Sequence, residues 1–430
     1  VNPTFPTALS VLFMTGLAGG QVATTWDEAY SRLAPVGGQS SQKKELSGKV
    51  VAGYQGWFAA EGDGAGLGWI HYGGKDLGPG NCTFDLWPDM TELDEDEKYP
   101  TAFRNADGSA ATLFSSYNAK TVERHFRWMA EYGIDGVMLQ RFGVTLKSPQ
   151  SFDFGTTVMQ NVRNGADRHG RSWSMMYDLS GMRAEDVIPV ITGDWRRLVE
   201  SAGILRDTGY LHHKGKPLVT VWGIGFNDKR AYGLQECSAL VDFLKARGNA
   251  VMVGIPYYWR DLDRDAVTDP ALHQLLLKAD IISPWAVGRY SGTAAVAKNL
   301  PERLAGDLAW AGKNDVAYLP VVFPGFSWRN LEKTRGRDAS LNAIPREGGR
   351  FFWQQAVEAK RAGAEMIYVA MFDEVDEATA ILRATNQPPA GDSPFVTYDG
   401  LPADHYLWLT GEIGKMLGKP GNVAPEMPVR

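Results

Sequence analysis

The chain is expected to fold as a single (β/α)8 barrel of the TIM type with an enlarged first βα loop. Three features of its 430 residues point there. Short apolar or β-branched runs recur eight times between Val50 and Phe372, amphipathic stretches separate them, and polar and aromatic residues gather just after the runs. Strands alternating with helices imply βα units and a parallel sheet. Eight such units suit a closed barrel better than a doubly wound sheet. No glycine-rich dinucleotide fingerprint follows the first run and no Walker sequence occurs anywhere.

The first strand is read at Val50–Trp57. Residues 58–117, polar and rich in Gly and Pro, read as an enlarged active-site loop. An amphipathic helix at Thr121–Tyr132 leads to the second strand, Ile134–Arg141, and Ser172–Asp178 is the third. A helix near Trp195–Thr208 precedes the fourth, Pro217–Trp222, and one at Ala239–Arg247 precedes the fifth, Ala250–Tyr257. Asp280–Trp285 and Val316–Phe323 follow, then a helix at Phe351–Ala362 and the eighth strand, Met366–Phe372.

Ahead of the barrel, the apolar segment Ala8–Ala18 followed by Gly19, Gly20 and Ala23 resembles a signal peptide, although no Lys or Arg precedes it. Residues 1–23 are therefore expected to be a signal peptide, 24–47 a linker, 48–420 the catalytic barrel and 421–430 a tail. A secreted or periplasmic protein follows as the expectation. No later apolar run reaches the roughly 18 residues of a membrane span, so none is expected.

A hydrophobic content of 44% with 22% charged residues describes a chain able to bury a large core. A net charge of -6, with no basic cluster interleaved with aromatics, argues against a nucleic-acid partner. Trp57, Trp69, Tyr257, Tyr258, Trp259, Trp285, Tyr290 and Trp328 lie in Gly- and Pro-rich stretches. Aromatic rings there either pack loops onto the domain or stack on apolar sugar faces. Cys82 and Cys237 are far apart, form neither a metal motif nor a disulfide framework, and are expected as free thiols.

A barrel places its chemistry at the C-terminal ends of the strands. Read in order, those ends supply Gln55 and Trp57, Gln140 and Arg141, Tyr177 and Asp178, Trp222, and Tyr257 to Arg260. Trp285 with Arg289 and Tyr290, Phe323 with Trp328, and Asp373 to Glu377 complete the set. The last group is four carboxylates in five residues directly after an apolar strand. Crowded carboxylates repel one another and resist losing water. Acid–base chemistry gives a reason to place them there, because it uses carboxyls whose pKa values have been driven apart.

Glycoside hydrolysis needs two carboxyl groups, one neutral and one charged. Glu374 and Glu377 would share a face if a helical turn begins after the eighth strand. Asp373 and Asp376 would then orient neighbours or cap the turn. A solvated acidic helix start and a cation site are the competing readings. His71, in the long first loop, either touches substrate or lies on the surface, and His212 and His213 fall at the wrong end of the barrel for catalysis. No HExxH, paired Cys/His spacing or GxSxG elbow is present, so neither a metal nor a cofactor is expected.

Over most of residues 48–415 the sequence resembles bacterial proteins related to glycoside hydrolase families 71 and 99. The resemblance rests on VVAGYQGWF at 50–58, YGIDGVMLQRFG at 132–143, KPLVTVWG at 216–223 and MFDEVDEAT at 371–379. In family 99, the endo-acting α-mannosidases, the last strand ends in Trp-Asn-Glu-Trp-His-Glu-Gly-Thr, whose two Glu are catalytic. Phe372 to Thr379 match this run position for position and retain both Glu and the Thr.

The resemblance implies that Glu377 is the general acid/base and that Glu374 takes the proton of the sugar 2-hydroxyl. The 2-oxygen then attacks the anomeric carbon through an epoxide-like intermediate, with net retention. The strand ends and the first loop, read as a sugar-binding cleft, add an oligo- or polysaccharide substrate held by Gln55, Trp57, His71, Arg141, Asp178, Trp222, Tyr257, Trp259, Trp285, Tyr290, Asp373 and Asp376. Phe372, Asp373, Val375 and Asp376 replace the family's Trp, Asn, Trp and His. Two neutral residues have become acids, so another α-linked glycan fits as well as a mannoside. A conventional two-carboxylate mechanism using Asp178 and a catalytically silent sugar-binding barrel are the alternatives.

Overall fold

The computed structural model describes residues 26–37, 44–419, 421, 423 and 425–430. The segment expected as a signal peptide lies outside the described residues. The barrel strands are β1 (Val50–Tyr54), β2 (Gly136–Phe142), β3 (Ser172–Asp178), β4 (Lys216–Trp222), β5 (Ala250–Pro256) and β6 (Ile281–Trp285). They are followed by β7, in two pieces (Ala317–Tyr318 and Val321–Val322), and β8 (Ile367–Val369). All pair in parallel, in the order β7–β6–β5–β4–β3–β2–β1–β8–β7. The first piece of β7 bonds to β6 and the second to β8, which closes the barrel. Pro320 sits between the two pieces. It has no N–H to give to a ladder, so the apolar run read as one strand is interrupted there.

Around the sheet lie α1 (Ala119–Tyr132), α2 (Pro149–Arg168), α3 (Ala184–Glu200), α4 (Leu234–Ala246), the short α5 (Ala271–Leu276), α6 (Thr293–Lys313), α7 (Arg350–Arg361) and α8 (His405–Leu417). Local signals set their ends. Asn118 accepts the Lys120 N–H at the start of α1, and Gly133, at φ 76°, closes it in the left-handed region. The helix expected at Trp195–Thr208 starts eleven residues earlier, at Ala184. Its buried stripe of Val187, Ile191, Trp195 and Leu198 keeps helical spacing through Pro189.

Part of the expected linker packs on the barrel. Trp26–Ser31 is helical, and Trp26 and Tyr30 hold Phe152 of α2 at centroid distances of 4.6 and 5.0 Å. Lys44–Glu45 pairs with Leu211–His213, which pairs in turn with the start of β4. His212 and His213 thus lie at the N-terminal end of the barrel, where His212 Nδ1 meets the Tyr210 carbonyl at 2.9 Å. Both cysteines are buried and free. Among the described residues no helix is long and apolar enough to cross a membrane.

The long first loop carries an antiparallel hairpin, Tyr99–Arg104 with Ala110–Leu113, and folds over a cluster of Phe58, Tyr72, Phe84, Trp87, Phe103 and Phe114. The backbone N–H groups of Asp85 and Leu86 both donate to the Val375 carbonyl, at 3.2 and 3.1 Å. That ties the loop to the acid run after β8.

Candidate active site

After β8 the chain forms a turn, and the expected helical start is not there. The Ala378 N–H reaches the Val375 carbonyl, and the Thr379 and Ala380 N–H groups both donate to the Glu374 carbonyl at 3.1 Å. Ala378 has a φ of 51°, which a helix does not accommodate. Arg346, stacked over Tyr398 and Tyr406, clamps the far side by donating 2.8 Å bonds to the Ala378 and Ala380 carbonyls. The solvated-helix reading fails on burial. Asp373, Glu374, Asp376 and Glu377 are only 0, 2, 6 and 8% exposed.

The four acids are held differently. Asp373 accepts the Gln55 and Gly56 backbone N–H groups, one on each oxygen, at 2.7 and 2.8 Å. It has no exposed surface and orients the end of β1. Glu374 is tethered at both oxygens: Gln55 Nε2 donates to Oε1 at 2.7 Å and the Thr379 hydroxyl to Oε2 at 2.6 Å. Asp376 Oδ2 takes His71 Nδ1 at 3.2 Å, and its Oδ1 is buried without a partner. The side chain of Glu377 makes no hydrogen bond among the described residues.

Burial is the first cause of every pKa shift here. It raises Asp373 to about 7, against the pull of the Gly56 and Gln55 N–H groups. It raises Glu374 to about 8, with help from the charge of Asp376, while Thr379 and Gln55 oppose it. Burial lifts Asp376 to about 7 as well. Glu377 is pushed well above the carboxylate range by burial and then by Glu374 and Asp376. Loss of water also lowers His71 to about 3, so the imidazole that meets Asp376 is uncharged.

Of the expected binding residues, the structure brings several to this turn. Gln55 contacts Glu374 directly. Trp57 lies flat between His71 (3.7 Å, 7°) and Phe142 (5.1 Å, 25°). Asp178, at the end of β3, is buried, is raised by desolvation and adds its field to Glu374. Trp222 and Trp285 meet edge to face at 5.5 Å, both partly exposed at the strand ends. Gly254 makes room for Trp222, since a Cβ there would lie 2.2 Å from the indole.

The remaining residues point elsewhere. Arg141 faces outward and binds Asp194 of α3 through Nε and a terminal nitrogen, at 2.9 and 2.7 Å. Neighbouring strand residues face opposite sides, so Gln140 is the one that turns inward. It shares a face with Met138, which meets Thr220 across the barrel, and with Phe142. Trp259 is fully buried against Trp310 of α6. Tyr257 and Tyr290 line a small cavity with Pro284 and Gln355, between β6–β7 and the helices α6 and α7.

Sequence reasoning named Gln140 with Arg141 at the end of β2 but carried only Arg141 forward as a binding residue, where the pleat favours Gln140. It missed Asp85, 0% exposed, which accepts the Ser327 hydroxyl and the Arg329 and Asn330 N–H groups. The Ser327 N–H in turn donates to the Glu377 carbonyl at 2.9 Å. No local signal marks Asp85, because its partners lie more than 240 residues away. Asp94, Asp96 and Glu97 converge closely enough for a metal, but Lys120 and Arg124 occupy that group.

No protein-family model matches the chain, and no curated protein matches it. Among solved structures it is similar to the GH99 endo-alpha-mannosidase from Bacteroides thetaiotaomicron in complex with bis-tris-propane. The TM-score is 0.60 at 15% identity, over 86% of this chain and 98% of that one. A second structure of that endo-alpha-mannosidase gives 0.57 at 16% identity over the same shares. The chain therefore has the barrel fold of the GH99 endo-alpha-mannosidases.

Proposed function

We propose that the protein is a glycoside hydrolase that cleaves an α-linked glycan with Glu374 and Glu377. The observation that carries this reading is the inequality of the two carboxyls. Both are buried at the end of β8, but Glu374 is held by a donor on each oxygen and Glu377 by none. Donors favour the charged form. Glu374 therefore gives up its proton first, while Glu377 stays protonated, as a base and an acid working together require.

In the first step Glu374 takes the proton of the 2-hydroxyl as the 2-oxygen bonds to the anomeric carbon. Glu377 protonates the departing oxygen as the glycosidic bond breaks. In the second step Glu377, now a carboxylate, takes a proton from water as that water attacks the anomeric carbon. The three-membered ring opens, and the 2-oxygen recovers its proton from Glu374. Trp222 and Trp285, both partly exposed at the strand ends, supply flat apolar faces on which sugar rings stack.

The test is a panel of α-linked oligo- and polysaccharides, with products identified by mass and the first anomer formed by NMR. Glu374→Gln and Glu377→Gln are each expected to lower kcat by about 10²–10⁴-fold and to leave the melting behaviour intact. Wild-type turnover in both variants would refute the assignment. Binding without any product would leave a sugar-binding barrel instead. Asp178 is buried and acts electrostatically on Glu374, which favours a second reading with Asp178 as nucleophile or base. In that case Asp178→Asn loses as much activity as Glu377→Gln.

A further inference from the structure

The acid turn gathers hydrogen-bond acceptors that the protein's own donors do not all meet. Two arginines act electrostatically on it, Arg335 on Asp376 and Glu377, and Arg230 on Asp178. Each also has a carboxylate of its own. Arg335 donates to Glu332 at 3.0 Å, and Arg230 is gripped by Asp228 at 2.9 and 3.0 Å. His71 is neutral. Asp85 adds a further negative field on Asp376.

The hydrogen bonds leave the same imbalance. Asp376 Oδ1 is buried with no partner, and its residue is 94% buried, from an exposure of 6%. The Asp376 and Glu377 N–H groups come near enough to soften the Asp376 shift, but neither makes a bond of proper geometry to Oδ1. Gln55 Oε1 is a second orphan. Its amide orientation is set by the Nε2 donation to Glu374, so the oxygen is the free end. The orphan donors nearby, Trp57 Nε1 and Trp222 Nε1, are uncharged and suit sugar oxygens.

A ligand that met these groups would bring hydrogen-bond donors and positive charge. A divalent metal needs several converging oxygens. Among the described residues only the Asp94–Asp96–Glu97 group converges in that way, and it is already filled. A hydroxyl donates once and leaves the charge unbalanced. A primary ammonium carries three donors, no acceptor and one positive charge, and a buried carboxylate is costly until it is paired.

We propose that the glycan is cationic: it carries an unacetylated amino sugar whose ammonium sits against Asp376 Oδ1. This rests on the glycosidase reading, in which the sugar losing its glycosidic bond keeps a 2-hydroxyl for Glu374. That excludes a 2-amino group on this sugar, and the proposal places the amine on the neighbouring sugar, on the leaving side.

The experiment uses the full chain carrying Glu377→Gln and matched α-mannosyl, α-glucosyl and α-galactosyl disaccharides. Each ends in glucosamine, N-acetylglucosamine or glucose, in every linkage the three share. Titration calorimetry is run close to pH 7, where a sugar amine is still largely protonated and Asp376, raised to about 7, can ionise against it. At least one amine form is expected to bind about tenfold tighter than both of its twins, or about 1.4 kcal/mol. Adding Asp376→Asn is expected to erase that preference while the neutral twins bind as before, which also shows that the site remains folded. Equal affinity for the three forms, or a preference that survives Asp376→Asn, overturns the proposal. Hydrolysis of a neutral twin by the wild type with no amine preference would sink the ammonium and keep the glycosidase. Amine-selective binding with no hydrolysis of any disaccharide or longer glycan would do the reverse.

Discussion

Replacing Thr379 with Val removes one hydrogen bond from Glu374 and keeps the shape of the side chain. The Thr379 hydroxyl donates to Glu374 Oε2 at 2.6 Å, beside a carboxyl that is 2% exposed. Hydrogen bonds to charged groups are worth about 1.5–3 kcal/mol. At about 1.36 kcal/mol per pKa unit, losing the bond raises the Glu374 pKa by about 1–2. The bond stabilises the anion, so its loss favours the protonated form and the shift is upward from about 8. If Glu374 is the base, the acid limb of kcat/KM moves to higher pH by that amount. The plateau is reached later, with its height little changed. Asp376→Asn moves the limb the other way, because the charge of Asp376 is the largest contribution to the Glu374 shift after burial. The assay is kcat/KM against pH, with 13C NMR titration of labelled Glu side chains as the direct check. An acid limb in Thr379→Val that stays in place, or moves to lower pH, refutes the assignment of Glu374 as the base.

Other outcomes test the frame around the site. Asp376 has a pKa raised from 3.8 to about 7 by burial, so its stabilising contribution is full below pH 3.8 and is lost as pH rises through 7. Asn cannot ionise, so the melting temperature of Asp376→Asn should gain on the wild type steadily across that window, as calorimetry will show. Arg141→Met strips Asp194 of its buried cation. It is expected to cost about 3–5 kcal/mol in urea unfolding and to leave kcat/KM of the folded enzyme unchanged, and a selective loss of activity would put Arg141 back in the site. Asp373→Asn turns one acceptor toward a backbone N–H as a donor. It should cost about 1–3 kcal/mol of stability and lower kcat more than it raises KM, because Gln55 loses its anchor.

Much of the barrel is legible in local sequence. Val50–Tyr54, Ser172–Asp178 and Ala250–Pro256 are buried on both faces, and such strands read as continuous apolar runs. The seventh strand reads as one run and folds as two because of Pro320. Helix α3 reads short because Pro189 breaks its propensity and leaves its spacing intact. At strand ends the pattern fails. Gln140 and Arg141 stand together at a strand end and the charged one looks the more functional, yet the pleat sends the arginine to Asp194 and the glutamine inward. Trp259 and Trp285 look alike, and one is sealed against Trp310 while the other stays partly open.

Local chemistry by itself determined that eight βα units alternate and that an acid run follows the last strand. Apolar periodicity and carboxylate crowding are short-range properties, readable within a few residues. Only the tertiary structure decided what each acid touches. Asp373 and Glu374 take their partners Gln55 and Gly56 from more than 310 residues away, and Asp376 takes His71 from 305 away. A pKa depends on how much water is excluded and which charges face the group. Both are settled when the barrel closes and the first loop folds over the turn, so neighbours in the chain end up differently held: Asp373 on two backbone N–H groups, Glu374 tethered at both oxygens, Asp376 on His71, and Glu377 with no side-chain hydrogen bond among the described residues.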